Sequence, residues 1–154
     1  MDEDKEELYF NFRYAQRLCQ RTARFYRRIQ TSLTFMSLLA GSSAVATLAA
    51  QLPAQSAWLL ATFAVLGCMN VAIRPAERIA ANEADVRKYG ALLAKLKQMD
   101  AASLQQLLDE ARLSDTTEVE HLRPVAYNDV VLEIDEPEAL IPLTPMQKLI
   151  GALA

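Results

Sequence analysis

Leu8, Phe12, Ala15, Cys19, Thr22, Tyr26 and Ile29 recur in alternating steps of four and three. That spacing is the seam of an amphipathic helix. Ile79, Asn82, Val86, Tyr89, Leu93 and Leu96 repeat it further on. A shorter stripe, Leu104, Leu107, Leu108 and Ala111, predicts a helix that opens near Asp100 or Ser103. "SDTTEVEHLRPVAYNDVVLEI" (114–134) predicts another, interrupted or restarted at Pro124, and periodicity leaves its "VVLEI" end open between helix and strand. "IDEPEALIPL" reads as a loop, and "TPMQKLIGALA" as a last helix. That helix would have Thr144 as N-cap, Pro145 first, and an apolar face of Met146, Leu149, Ile150 and Leu153.

Between the two seams the pattern disappears, because polar positions almost vanish. Residues 29–73 hold no charge in 45 positions, where a 23% charged chain would place about ten. The run divides at "QLPAQS", where Gln51, Pro53 and Gln55 suit a turn. Spans of about 29–50 and 56–73 remain, each near the length that crosses a bilayer as a helix. The expected fold is all-α: a two-helix transmembrane hairpin with long amphipathic cytoplasmic helices before and after it, and a short helical C-terminal tail. The expected organisation is an N-terminal helix (1–28), the hairpin (29–73), cytoplasmic helices (74–112) and an acidic tail (113–154). A buried hairpin in a water-soluble bundle would also lack charge. A signal peptide fits poorly, since 28 charge-rich residues precede the run.

Charge then orients the hairpin. Arg13, Arg17, Arg21, Arg24, Arg27 and Arg28 precede the first span, and Arg74, Arg78, Arg87 and Lys88 follow the second. The turn between the spans carries none. The bias toward inner-face cations puts both termini in the cytoplasm, with the turn outside the inner membrane. Trp58 falls where an outer interfacial aromatic belongs, and Phe25 and Tyr26 do so at the inner face. Arg21, Arg24, Arg27, Arg28, Arg74 and Arg78 make an inner-face collar, solvated or lying on anionic headgroups. Beyond Gln98 the balance reverses to three basic and eleven acidic residues. That tail would pack back on the basic collar or receive a partner.

Small residues stripe both spans. Ser42, Ala46 and Ala50 are spaced by four, as are Ser43 and Thr47, with Gly41 beside them. In lipid such stripes let helices approach closely. They fasten the hairpin to itself, or face a neighbouring copy and line a gap between copies. Gly41, Ser42, Ser43, Ala46, Thr47 and Asn70 are the candidates for that role. Two cysteines in unlike settings and one histidine imply neither a disulfide framework nor a metal cluster. No phosphate-binding glycine loop or nucleophile–base pair is evident, so no enzymatic activity, cofactor or catalytic residue is expected, and His121 beside Glu118 and Glu120 reads as a surface residue. Direct nucleic-acid binding is disfavoured too, since the arginines lack a base-stacking platform.

The order of parts adds a resemblance. "RTARFYRRIQ", a small-residue span with "GSSA", a second span, "RPAERIAANEADVRKYGALLAKL" and a tail with "LRPVAYND" together resemble the SLATT family of bacterial two-span membrane proteins. The resemblance covers roughly residues 8–132. It implies an oligomeric, pore-forming effector of anti-phage or conflict systems that perturbs the inner membrane when triggered. The trigger would come from a nucleotide second-messenger synthase, a nucleotide sensor or a reverse transcriptase. A phage-type holin and a non-toxic scaffold for a soluble partner share the hairpin and are the alternative readings.

Overall fold

A computed structural model describes residues 3–42, 47, 50, 51, 53–116 and 118–154. Regular structure is helical throughout, with no strand among the described residues. Helix α1 spans Glu3–Ala40, α2 Pro53–Ile73, α3 Pro75–Lys95, α4 Ala101–Leu113, α5 Arg123–Glu133 and α6 Pro145–Ala152. Single 3-10 turns occupy Glu120–Leu122 and Pro137–Ala139. The chain divides into two compact units, 1–25 with 78–154, and 26–77.

The first unit is a helical bundle with a core on two sides of α1. Leu8, Phe12, Ala15 and Cys19 of α1 pack with Tyr89, Leu92 and Leu96 of α3 and with Leu104, Leu108 and Ala111 of α4. These are largely the predicted seams. On its other side α1 contributes Leu18 to a cluster with Leu122, Ala126 and Ala154. Phe12, Leu18, Leu104, Leu108 and Leu122 are fully enclosed, each worth about 1.5–3 kcal/mol of apolar transfer.

Local signals account for most helix ends. Glu3, Asp4 and Glu6 sit in the first turn of α1, where carboxylates meet the positive end of the helix dipole. Asp100 caps α4 by accepting from the Ser103 amide at 3.0 Å. Thr144 and Gln147 form a reciprocal capping box on α6. Pro124 sits in the first turn of α5, so the chain restarts there as expected. "VVLEI", open between two states in the sequence, is helical as far as Glu133. It closes with the Asp135 amide on Leu132 O (3.4 Å) and the Glu136 amide on Val131 O (3.1 Å). Asp135 takes the left-handed conformation this ending requires, at φ 62°.

Helices α2 and α3 are separate, with Arg74 between them at φ 49°. A residue before proline is driven out of the right-handed helical region, and here it crosses to the left-handed one. Pro53 starts α2 rather than lying in the turn, since proline at a first helical position loses no hydrogen bond. The apolar face expected on α6 is largely uncovered: Met146, Leu149 and Leu153 are exposed and only Ile150 is half-buried. Among the described residues no helix is long and apolar enough to cross a membrane. The first predicted span and the turn run into residues 43–46, 48, 49 and 52, which lie outside those described.

Replacing Leu108 with alanine is expected to destabilise the bundle by about 2–5 kcal/mol, measured by denaturant unfolding followed at the tyrosine signals. The exposed Leu113 should tolerate the same change within about 0.5 kcal/mol.

Candidate functional site

The predicted basic collar divides between the units. Arg21, Arg24 and Arg78 belong to the first, and Arg27, Arg28 and Arg74 to the second. Arg24, Arg27 and Arg28 are exposed on α1, and Arg74 reaches Glu77 at 3.4 Å. Arg21 departs from the expected solvated collar. Its guanidinium grips the Asp129 carboxylate of α5 with both arms, at 2.7 and 2.8 Å, and reaches Gly151 O at 3.3 Å. Arg17 bonds Glu133 at 2.7 Å, and Arg13 pairs with the same carboxylate. Arginines at 13, 17 and 21 thus face carboxylates at 133 and 129, an antiparallel ladder between α1 and α5. Helical spacing by four puts each set on one face, and the fork of arginine suits the two-armed pair. The acidic tail packs on Arg13, Arg17 and Arg21, of which Arg21 belongs to the predicted collar.

Lys88 was placed among the orienting cations, but it is the centre of a clasp. Its ammonium donates to Asp115 at 2.6 Å, to Ala111 O at 3.0 Å and to Ser114 Oγ at 3.3 Å, and lies 3.0 Å from Asp85. Asp115 also accepts from the Tyr89 hydroxyl, and Asp85 accepts from the Thr116 amide at 3.1 Å. The connector after α4 is therefore tied to α3 from both of its carboxylate ends, and the C-terminal carbonyls of α4 face a cation. Burial would raise the Asp85 carboxyl, but hydrogen bonds from Lys88 and Thr116 outweigh it and hold it below its usual range. Burial likewise opposes the charge on Lys88, and Asp115 and Asp85 overcome it, so the ammonium holds its proton beyond its ordinary value. The neighbouring Tyr89 hydroxyl is pushed well up by burial and by its bond to Asp115. Burial, with Asp85 and Asp115 adding to it, raises the Cys19 thiol to about 12, which leaves a packing thiol rather than a nucleophile.

Beside the clasp opens a cleft of about 770 Å³ lined by Tyr14, Arg112, Asp115, Glu118, Glu120 and Arg123, among others. Glu118 is held at 3.2 Å by Arg123, yet burial still raises its carboxyl. His121, read as a surface residue, is exposed. The walls mix two cations with three carboxylates, so the cleft offers polar contacts without a strong field of either sign.

Within the second unit Asn70 is exposed and shares a cleft of about 490 Å³ with Gln30, Val71, Arg74, Pro75 and Glu77. Gly41 lies in the turn after α1, where an added Cβ would meet only backbone oxygens, Ser37 O at 3.8 Å and Leu38 O at 3.9 Å. The Ser42 hydroxyl donates to Leu39 O at 2.7 Å, and Thr47 is exposed. Ser43 and Ala46 lie outside the described residues. The sequence reading missed the clasp because Asp115 sits in an aperiodic connector. Lys88 carried one signal, a cation one residue before a seam tyrosine.

No family model, curated protein or solved structure matches the chain.

The clasp predicts a pH response. Stability from Asp85 is full above the ordinary carboxyl value of 3.8 and is lost as pH falls through its lower folded value. Stability from Lys88 is full below 10.5 and is lost as pH rises through its raised value. Thermal melts should therefore be flat near neutrality and fall on both flanks. Lys88→Met should flatten the alkaline flank and cost about 1–3 kcal/mol at neutral pH. For the ladder, Arg21→Asp should destabilise by about 1–2 kcal/mol, and adding Asp129→Arg should restore part of it, read as the coupling in a double-mutant cycle.

Proposed function

We propose that the chain is a bacterial inner-membrane effector, non-enzymatic and oligomeric, whose residues 29–73 insert as a hairpin and perturb the membrane when triggered. The observation that carries this reading is where the apolar surface lies. In the second unit, large side chains on both helices face outward: Leu38 is 71% exposed, Trp58 78% and Val71 74%, with Phe35, Val65 and Met69 also exposed. No charge falls between Arg28 and Arg74 to solvate that surface. In water this would be a large unpaid apolar patch; in hydrocarbon it is the ordinary outer face of a span.

Two further features support it. Three hydroxyls of the unit turn onto their own helix: Thr31 donates to Arg27 O at 2.9 Å, and Ser37 to Leu33 O and Thr62 to Trp58 O, both at 2.8 Å. A polar group satisfied in that way needs no water. The exposed arginines at 27, 28 and 74 fit an inner-face location with both termini cytoplasmic. The SLATT resemblance adds the expectation of a trigger from a nucleotide-signalling or reverse-transcriptase partner.

The test is expression in bacteria with a voltage-sensitive dye and a larger, normally excluded dye followed together. Depolarisation is expected, and it should disappear in Leu60→Lys/Leu66→Lys, which prevents insertion of the second span. Polar substitution at Gly41 or Ser42 should change the effect far more than the apolar change Leu66→Ala. An unchanged potential, with the chain recovered in the membrane fraction, means either a chain locked until its triggering partner arrives or a scaffold.

A further inference from the structure

One strip of the first unit is apolar and uncovered, although the unit has a core of its own. Helix α6 is seated by one flank: a Cβ on Gly151 would stand 3.1 and 3.2 Å from the Val125 methyls, and Ile150 packs on the cluster of Leu18, Leu122 and Ala126. Met146, Leu149 and Leu153, spaced by three and four, share another flank and are 55%, 60% and 45% exposed. The loop before α6 is pinned rather than trailing. The Asn128 side chain bonds the Ile141 backbone both ways, at 2.9 and 2.8 Å. Ile141 itself is exposed, and so is Leu132, one helical turn beyond Asn128 on α5.

Charge around the strip is one-sided. From Pro124 to Ala154 the only cation is Lys148, against Asp129, Glu133, Asp135, Glu136 and Glu138. Asp129 and Glu133 are engaged by the α1 arginines, which leaves Asp135, Glu136 and Glu138 exposed on the turn after α5. At that end Glu136 and Ile134 share a cleft of about 420 Å³ with Glu6, Tyr9 and Phe10. Aromatic faces beside carboxylates suit a long cationic side chain.

We infer that this strip is a docking surface for a cationic amphipathic helix of a partner protein. Its apolar face would lie along Leu132, Ile141, Met146 and Leu149, and its basic residues would meet Asp135, Glu136 and Glu138. Charge separates this occupant from the others. An anionic bilayer is repelled by the three carboxylates. A second copy would offer from the same segment one cation, Lys148, against three carboxylates. The surface lies wholly in the bundle, so the inference holds whether or not residues 29–73 insert.

The test uses the full chain in neutral maltoside micelles, with empty micelles as the blank. The probes are a fluorescent 18-residue leucine–lysine amphipathic helix and its leucine–glutamate twin, read by anisotropy. Saturable binding of the lysine peptide alone is expected. It should weaken about tenfold in Asp135→Asn/Glu136→Gln/Glu138→Gln and comparably in Met146→Gln/Leu149→Gln, with melting unchanged because all five positions are exposed. Equal binding of both peptides, or binding untouched by the triple variant, overturns the inference. So does a dimer of the chain that Leu149→Gln dissolves, which assigns the strip to a second copy. Flotation with anionic vesicles that depends on Met146 and Leu149 overturns it in favour of lipid.

Discussion

Residues 3–25 of α1 carry apolar side chains on two faces, and both must be covered. Leu8, Phe12, Ala15 and Cys19 point one way and Leu18 another. A helix with two such faces is stable in water only between two layers of chain. One layer is α3 with α4; the other is the Glu120–Leu122 turn with α5 and α6. The α1–α3 seam also encloses Thr22 and Asn82, whose Oγ1 and Oδ1 atoms find no protein partner. Burial of such atoms costs about 1–3 kcal/mol each, so the surrounding apolar contacts must outweigh them. A polar position inside a seam narrows the registers in which two helices pack well.

Electrostatics follows from that packing. Once α5 lies antiparallel along α1, arginines and carboxylates repeating every four residues fall opposite each other, and the basic helix is neutralised where it is covered. The clasp acts on a different junction. A lysine reaching from α3 into the end of α4 fixes a connector that has no periodicity to hold it. Together these contacts use the tail's carboxylates selectively: Asp115, Asp129 and Glu133 are engaged inside the bundle. The charge left outside is acidic and lies beside uncovered leucine, isoleucine and methionine.

The second unit obeys the opposite rule. Its helices turn large apolar residues outward, and Thr31, Ser37 and Thr62 bond to their own backbone. The bundle encloses two apolar clusters, whereas Phe35, Leu38, Trp58, Val65, Met69 and Val71 of the second unit are displayed. One chain therefore joins a unit with its own core to a unit whose large apolar side chains are uncovered, the feature on which the proposed membrane role rests.

Helix positions were legible in the chain because a period of 3.6 acts over neighbouring residues. The seams from Leu8 and Ile79, the stripe of α4, the Asp100 and Thr144 caps and the restart at Pro124 all follow from spacing. The charge-free run was legible for the same local reason, and the acidic tail could be seen as a match for the basic helix. The particular pairs could not. Arg21 with Asp129 and Lys88 with Asp115 join residues 108 and 27 positions apart, and nothing in spacing along one helix selects a partner on another. The exposed face of α6 was hidden likewise, since a stripe shows which side is apolar but not whether anything covers it. Local geometry makes the helices; only their packing decides which charges meet and which apolar faces stay open.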